Sequence, residues 1–191
     1  MYKDLFRLVI DIISKPGKTW KELAEKEEVG DLFLSRFVYP LIGLVAIAAF
    51  LGILLTEKKF NVELAMKSSI KAAVSAFGGF HLAAYLLNEI GKNYLGRADN
   101  LKRCQLFTGY ASAGMFALNA VLSLVPTADF FFLRIFLLYT VYIVWEGAGP
   151  YMGVDEKGQL RFVTIASILI IGLPELIGGA LFLLMPGFRG I

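Results

Sequence analysis

Phe162-Val-Thr-Ile-Ala-Ser-Ile-Leu-Ile-Ile-Gly-Leu-Pro174-Glu175-Leu-Ile-Gly-Gly-Ala-Leu-Phe-Leu-Leu-Met185 is an apolar run whose one charge is Glu175. A helix of this length crosses a bilayer at 1.5 Å rise per residue. A carboxylate at that depth costs about 2.5–3.5 kcal/mol on insertion scales. Glu175 therefore needs a partner, a wet cavity or a proton. Which of these holds separates a structural membrane protein from a transport device.

The rest of the chain repeats the pattern. Its 191 residues are 57% hydrophobic and 18% charged, with a mean hydropathy of +0.66. A soluble domain is nearer 25% charged. The apolar residues gather into continuous blocks rather than alternating, which favours helices over a membrane β-barrel. Five spans are expected, at about 37–55, 71–88, 104–125, 128–145 and 162–185. The fold class is thus all-α integral membrane: residues 1–36 form a cytoplasmic helical segment and residues 37–191 a five-span domain.

One cysteine, Cys104, and one histidine, His81, exclude an internal disulfide and a multi-histidine metal site. No cofactor is expected. The opening residues, Met1-Tyr-Lys-Asp-Leu-Phe-Arg7, lack the apolar stretch of a cleavable leader, so targeting is expected to come from the spans. Lysine and arginine concentrate before the first span and in the second and fourth loops. They include Lys18, Lys21, Lys92, Arg103, Lys157 and Arg161. The positive-inside rule then puts the N-terminus in the cytoplasm and, with five spans, the C-terminus outside. A bacterial inner membrane is the expected location.

Within residues 1–36, Lys3, Asp4, Arg7 and Asp11 fall on one helical face, and Leu5, Leu8, Val9, Ile12 and Ile13 on the other. This is the pattern of an interfacial amphipathic helix. Pro16-Gly17 ends it. Thr19-Trp-Lys-Glu22 has the spacing of a capping box that would open a second short helix.

Several stretches together resemble the Yip family, the Ypt/Rab-interacting membrane proteins, in a compact bacterial form. They are Pro16-Gly-Lys-Thr-Trp20-Lys-Glu-Leu23, Gly109-Tyr110 and Leu138-Tyr139-Thr-Val-Tyr142-Ile-Val-Trp-Glu-Gly147, with the basic loop ending in Arg161-Phe162. Residues 1–36 do not carry the Asp-Leu-Tyr-Gly-Pro stretch of the long N-terminal extension of the eukaryotic members, so a compact form is expected. The resemblance implies a membrane-organising or adaptor protein without an established reaction.

Depth sorts the remaining polar residues. With the topology above, His81 and Glu175 each lie about 15 Å below the outer boundary. Arg134 is about 7–8 Å in from the start of its span and can reach toward them. The three form an expected polar cluster in the outer half of the membrane. It is either a site that binds a cation or relays a proton, or a buried Arg–Glu pair that holds the bundle in register. A second cluster, Glu89, Glu146 and Arg161, marks the cytoplasmic end and suits interfacial pairing and anionic-lipid contact. Gly79, Gly109 and Ala113 belong to small-residue rows that let helices approach closely, within one bundle or between copies, which leaves a homo-oligomer open.

Catalytic readings find little footing. Ser112 in Tyr-Ala-Ser-Ala-Gly lacks the leading glycine of a nucleophile motif. The glycines of 147–153 lack the Lys-Ser/Thr of a phosphate loop. The basic residues follow topology, so nucleic acid is not an expected partner. The expected partners are the lipid bilayer, anionic lipid, and a protein bound through the N-terminal segment. The expected function is a non-enzymatic adaptor; the alternative is a small transporter or channel centred on His81, Arg134 and Glu175.

Overall fold

The computed structural model describes residues 2–25, 30–56, 61–94, 99–124 and 128–184. Among them the chain is helical, without strands. The helices are α1 (Tyr2–Ser14), α2 (Pro16–Ala24), α3 (Gly30–Phe33), α4 (Tyr39–Thr56), α5 (Val62–Tyr94), α6 (Leu101–Leu124), α7 (Tyr139–Ala148) and α8 (Glu156–Leu184). A wider π-helical turn, Leu34–Val38, feeds α4, and a 3₁₀ helix, Ala128–Leu138, feeds α7. The π turn precedes Pro40, whose ring and missing N–H disrupt a regular helical ladder.

Among the described residues, four helices are long and apolar enough to cross a membrane: Leu34–Thr56, Val62–Asn93, Leu101–Leu124 and Glu156–Leu184. The segment expected to cross at 128–145 is not one α-helix. Its first part is 3₁₀ and only Tyr139–Ala148 is α-helical. The Phe130-Phe131-Phe132 run explains part of this, because aromatic residues are weaker helix formers than leucine or alanine.

Helix α6 is the most buried of the four and forms the centre, with Phe107, Tyr110, Ala111 and Phe116 enclosed. Around it, α4, α5 and α8 turn apolar side chains outward, among them Ile47, Leu55, Met66, Ile168 and Leu183. That distribution suits acyl chains as the surrounding solvent.

Glycines set the closest approaches. A Cβ on Gly52 of α4 would collide with the Ser123 carbonyl of α6. One on Gly79 of α5 would lie 2.5 Å from Pro174 Cγ of α8, and one on Gly178 of α8 would lie 3.1 Å from Ser75 Oγ. The Ser75/Gly79 row thus packs inside the chain, against the turn of α8 that carries Pro174 and Gly178. Lys71 extends the same seam, its ammonium 5.2 Å from the centroid of the Phe182 ring.

The α5–α6 connection is fixed by Asn88, a buried amide. Its Nδ2 donates to Asp99 Oδ1 at 2.8 Å, and its Oδ1 accepts the Asn100 N–H at 2.9 Å. Asn100 Oδ1 then caps α6 by accepting the Arg103 N–H at 2.9 Å. The Asn88 hydrogen bond, with Lys92 beside it at 3.1 Å, holds the Asp99 carboxyl below the usual aspartate range.

Replacing Gly79 by alanine is expected to cost about 1–3 kcal/mol, as overpacking against Pro174 demands. Gly43 has open space around it, so Gly43→Ala should be neutral or stabilising by up to about 1 kcal/mol. Thermal unfolding of the two variants in detergent compares them directly.

Candidate functional site

The N-terminal segment is built into the bundle. Helix α1 buries Leu5, Val9 and Ile12 while Lys3 and Arg7 stay exposed. It packs on α6, where a Cβ on Gly114 would lie 3.3 Å from Ile13 Cγ1. The Tyr139 hydroxyl donates to the Ile13 carbonyl at 2.8 Å. Helix α2 begins earlier than a capping box at Thr19 implies. Pro16 occupies its first turn, where a missing N–H costs nothing. Thr19 lies inside the helix, its hydroxyl 3.0 Å from both the Asp11 and Lys15 carbonyl oxygens.

Trp20 is the anchor of this segment. Its side chain is fully buried, although Lys18, Lys21 and Glu22 around it are exposed. The indole stacks on Phe107 with ring centroids 5.0 Å apart, meets Tyr110 edge-on at 6.0 Å, and lies 5.1 Å from Tyr151. Its N–H donates to the Ile143 carbonyl at 2.9 Å. A tryptophan is enclosed comfortably only when that N–H has an acceptor.

Two glycines make the docking possible, one from each side. A Cβ on Gly147 of α7 would lie 2.5 Å from Trp20 Cε2. A Cβ on Gly17 of α2 would collide with the Glu146 carboxylate. The pairs Gly17/Glu146 and Trp20/Gly147 therefore interlock. The placement also sets the Glu146 carboxylate at the start of α2, where the helix dipole favours negative charge.

The turn after α7 closes the site. Gly153 adopts a left-handed φ of +66°, which lets the chain reverse without strain. Tyr151 is buried against Trp20 and Phe107. Arg103, in the first turn of α6, donates from Nε to the Tyr151 carbonyl at 2.8 Å, and from Nη2 to the same oxygen. Its guanidinium also lies 5.5 Å from the centroid of the Tyr151 ring. The start of α6, the end of α7 and α2 thus meet at one end of the bundle.

The other residues singled out by sequence fall as follows. Arg134 Nη1 lies 3.8 Å from Glu175 Oε2, with both side chains about half exposed (52% and 55%). His81 sits among aromatic rings, with Phe77, Phe80 and Tyr39 at 4.4, 4.8 and 6.2 Å between centroids. Its Nε2 is buried without a hydrogen-bond partner among the described residues. Glu89 Oε2 accepts from Asn93 at 3.4 Å, Glu146 faces Gly17, and Arg161 is exposed on α8. No ion pair joins these three among the described residues. Gly109 admits the Phe33 ring and Val38, and Ala113 is fully buried on α6. Ser112 is likewise enclosed on α6. Among the described residues no cluster of histidine, cysteine and carboxylates could hold a metal ion.

Sequence reasoning missed Trp20 and Gly147 as a pair. The available signal was a lone tryptophan in a charged nine-residue helix, a poor place for an indole unless something covers it. Trp20→Ala is expected to cost about 3–5 kcal/mol, and Gly147→Ala about 1–3 kcal/mol. In the Trp20→Ala background the added methyl finds room, so Gly147→Ala should then cost much less. A double-mutant cycle by thermal unfolding reads this coupling; strict additivity would contradict the contact.

A sequence model of the Yip1 domain matches residues 10–178. The match takes in α2, α7 and most of α8, hence both halves of the Trp20 contact. No curated protein and no solved structure matches the chain at a significant level. On the length of that match, the chain belongs to the Yip1 domain family of membrane proteins.

Proposed function

We propose that the chain is a non-enzymatic organiser of the membrane that recruits a protein partner through its N-terminal helices. The observation that carries this reading is the Trp20 contact. It fixes α1 and α2 to the bundle while leaving the Lys3/Arg7 face and the Lys18/Lys21/Glu22 face open. A tether that served only to target the chain would need no such anchoring. Membership of the Yip1 domain family, for which no reaction is established, agrees with it.

The same contacts support five crossings. Arg103 at the start of α6 holds the Tyr151 carbonyl beyond α7. Because α6 leads away from that end, residues 128–148 lead back. At about 2.0 Å per residue for the 3₁₀ part and 1.5 Å for the α part they reach about 37 Å, enough for the hydrocarbon core. The end carrying Lys18, Lys21 and Arg103 is then cytoplasmic, in an inner membrane, with the C-terminus outside. Anionic lipid at this end is a second binding partner.

A transport reading rests on the Arg134–Glu175 pair in the apolar zone. It is the weaker one, because His81 has its ring contacts with α4 and its own helix.

The two are separated by affinity capture and reconstitution. The full chain should retain a defined protein partner that is lost when Lys18, Lys21 and Glu22 are all replaced by alanine, with the fold intact. Liposomes carrying the chain should pass no ions or protons. A flux abolished by Glu175→Gln, with no partner retained, would contradict the proposal.

A further inference from the structure

Two contacts give the depth of the N-terminal helices. Val38 lies against Gly109, and Gly52 against Ser123. Fourteen residues separate the two contacts on each side. Helices α4 and α6 therefore run side by side in one direction without slip, and Gly114 of α6 stands level with Gly43 of α4. That level is about 10 Å beyond Arg36 and about 16 Å beyond Arg103, the last charges before the two apolar runs. Ile13, at the end of α1, packs at this level, its Cγ1 3.3 Å from a Cβ placed on Gly114. Trp20 packs against Phe107 and Tyr110, one to two turns nearer the charged end. Ser14, Lys15 and Lys18 lie between these contacts in the chain, and all three are exposed.

Hydrocarbon is a poor neighbour for this stretch. Acyl chains do not solvate an ammonium group. The Lys18 side chain is 75% exposed, with Glu22 beside it at 3.5 Å. The backbone is irregular as well, because Lys15 leaves the helical region at φ −141° and ψ 56°. Such backbone persists at membrane depth only where protein or water satisfies it. Here the Thr19 hydroxyl serves the Asp11 and Lys15 carbonyls, and the Tyr139 hydroxyl serves that of Ile13. Bulk water is no better a neighbour. The outward face of α1 that leads to Ser14 sets Phe6 and Ile10, 52% and 62% exposed, beside Lys3 and Arg7. That mixture belongs where headgroups meet acyl chains. On α4, by contrast, Leu44 and Ile47 turn outward at and just beyond the level of Ile13, and acyl chains alone suit them.

From this lopsided belt we infer that phospholipid headgroups of the adjoining leaflet are drawn down beside α1 and α2, so that the bilayer is thinner there than beside α4. Exposed charges of both signs, Lys15 and Lys18 with Glu22, complement the phosphate and the amine of a zwitterionic headgroup. Local thinning is how a bilayer meets an apolar belt shorter than its core. A bundle with a short belt on one side and a full one on the other distorts the leaflet around it. This gives the organising part of the proposed function a physical means. It requires only that α6 crosses the bilayer, holds for either orientation of the chain, and stands whether or not the same helices recruit a protein.

The test uses the full chain in phosphatidylcholine nanodiscs, which hold no protein partner, in a Cys104→Ala background. A nitroxide is placed on one introduced cysteine, and nickel carried on a lipid headgroup is the relaxing probe. The Ser14→Cys label should be relaxed at least about fivefold more than the Leu44→Cys label, although both stand at nearly one level of the bundle. Ile47→Cys, about 5 Å deeper, gives the fully apolar reference. Replacing Lys15 and Lys18 together by leucine should bring the Ser14 reading down to that of Leu44, and replacing both by arginine should keep it high. A Ser14 label as remote from the headgroups as the Leu44 label would overturn the inference. So would equal, strong relaxation of both labels, which would mean that the whole bundle sits higher in the membrane. A Ser14 reading unmoved by the two leucines would overturn it too, because the charges would not be what holds the headgroups there.

Discussion

The burial of one indole organises the end of the molecule where its basic segments gather. Helix α2 is only nine residues long and lies outside the long apolar spans. A helix of that length has little stability of its own. Its position comes from Trp20, enclosed by Phe107, Tyr110 and Tyr151 and hydrogen-bonded to the Ile143 carbonyl. Three separate parts of the chain supply that enclosure: α6, α7 and the turn beyond α7. Fixing the indole therefore fixes the start of α6 relative to the end of α7. Arg103 on the Tyr151 carbonyl secures the same relation from the other side. Helix α1, joined to α2 through Lys15 alone, is held beside Gly114 and by the Tyr139 hydroxyl on the Ile13 carbonyl, so the two helices are seated together.

The rest of the bundle obeys a different constraint. Helices surrounded by lipid gain little from burying leucine against leucine, so close approach and polar satisfaction hold them together. Gly52 on the Ser123 carbonyl and Gly79 on Pro174 supply the approach. Asn88, binding Asp99 and Asn100, supplies the polar satisfaction where α5 ends and α6 begins. In both regions glycine works by absence: a methyl group at 79 or 147 would push apart two elements that nothing else would bring as close.

The long apolar helices were legible because continuous hydrophobicity needs no knowledge of neighbours. The 128–148 stretch was less so. Its aromatic run is as apolar as a span, but propensity decides whether it forms one α-helix, and the observed 3₁₀ segment shows that it does not. Charges inside apolar runs announce themselves, which is why Arg134 and Glu175 stood out. His81 was placed by depth alone. Depth does not say which face of a helix a residue occupies, and its ring lies against Tyr39 and Phe77. The Trp20–Gly147 contact joins residues far apart in sequence. Both stretches carried the family resemblance, yet only the fold shows that one is the socket of the other.

Tryptophan emission tests the central claim most directly. The chain has two tryptophans, so Trp145→Phe leaves Trp20 as the only emitter. In membranes at rest its emission should be blue-shifted and resistant to acrylamide, as for an indole enclosed by rings and glycine. A red-shifted emission readily quenched from the aqueous phase would mean that α2 is not seated in the bundle, and the account of this end of the molecule would fail.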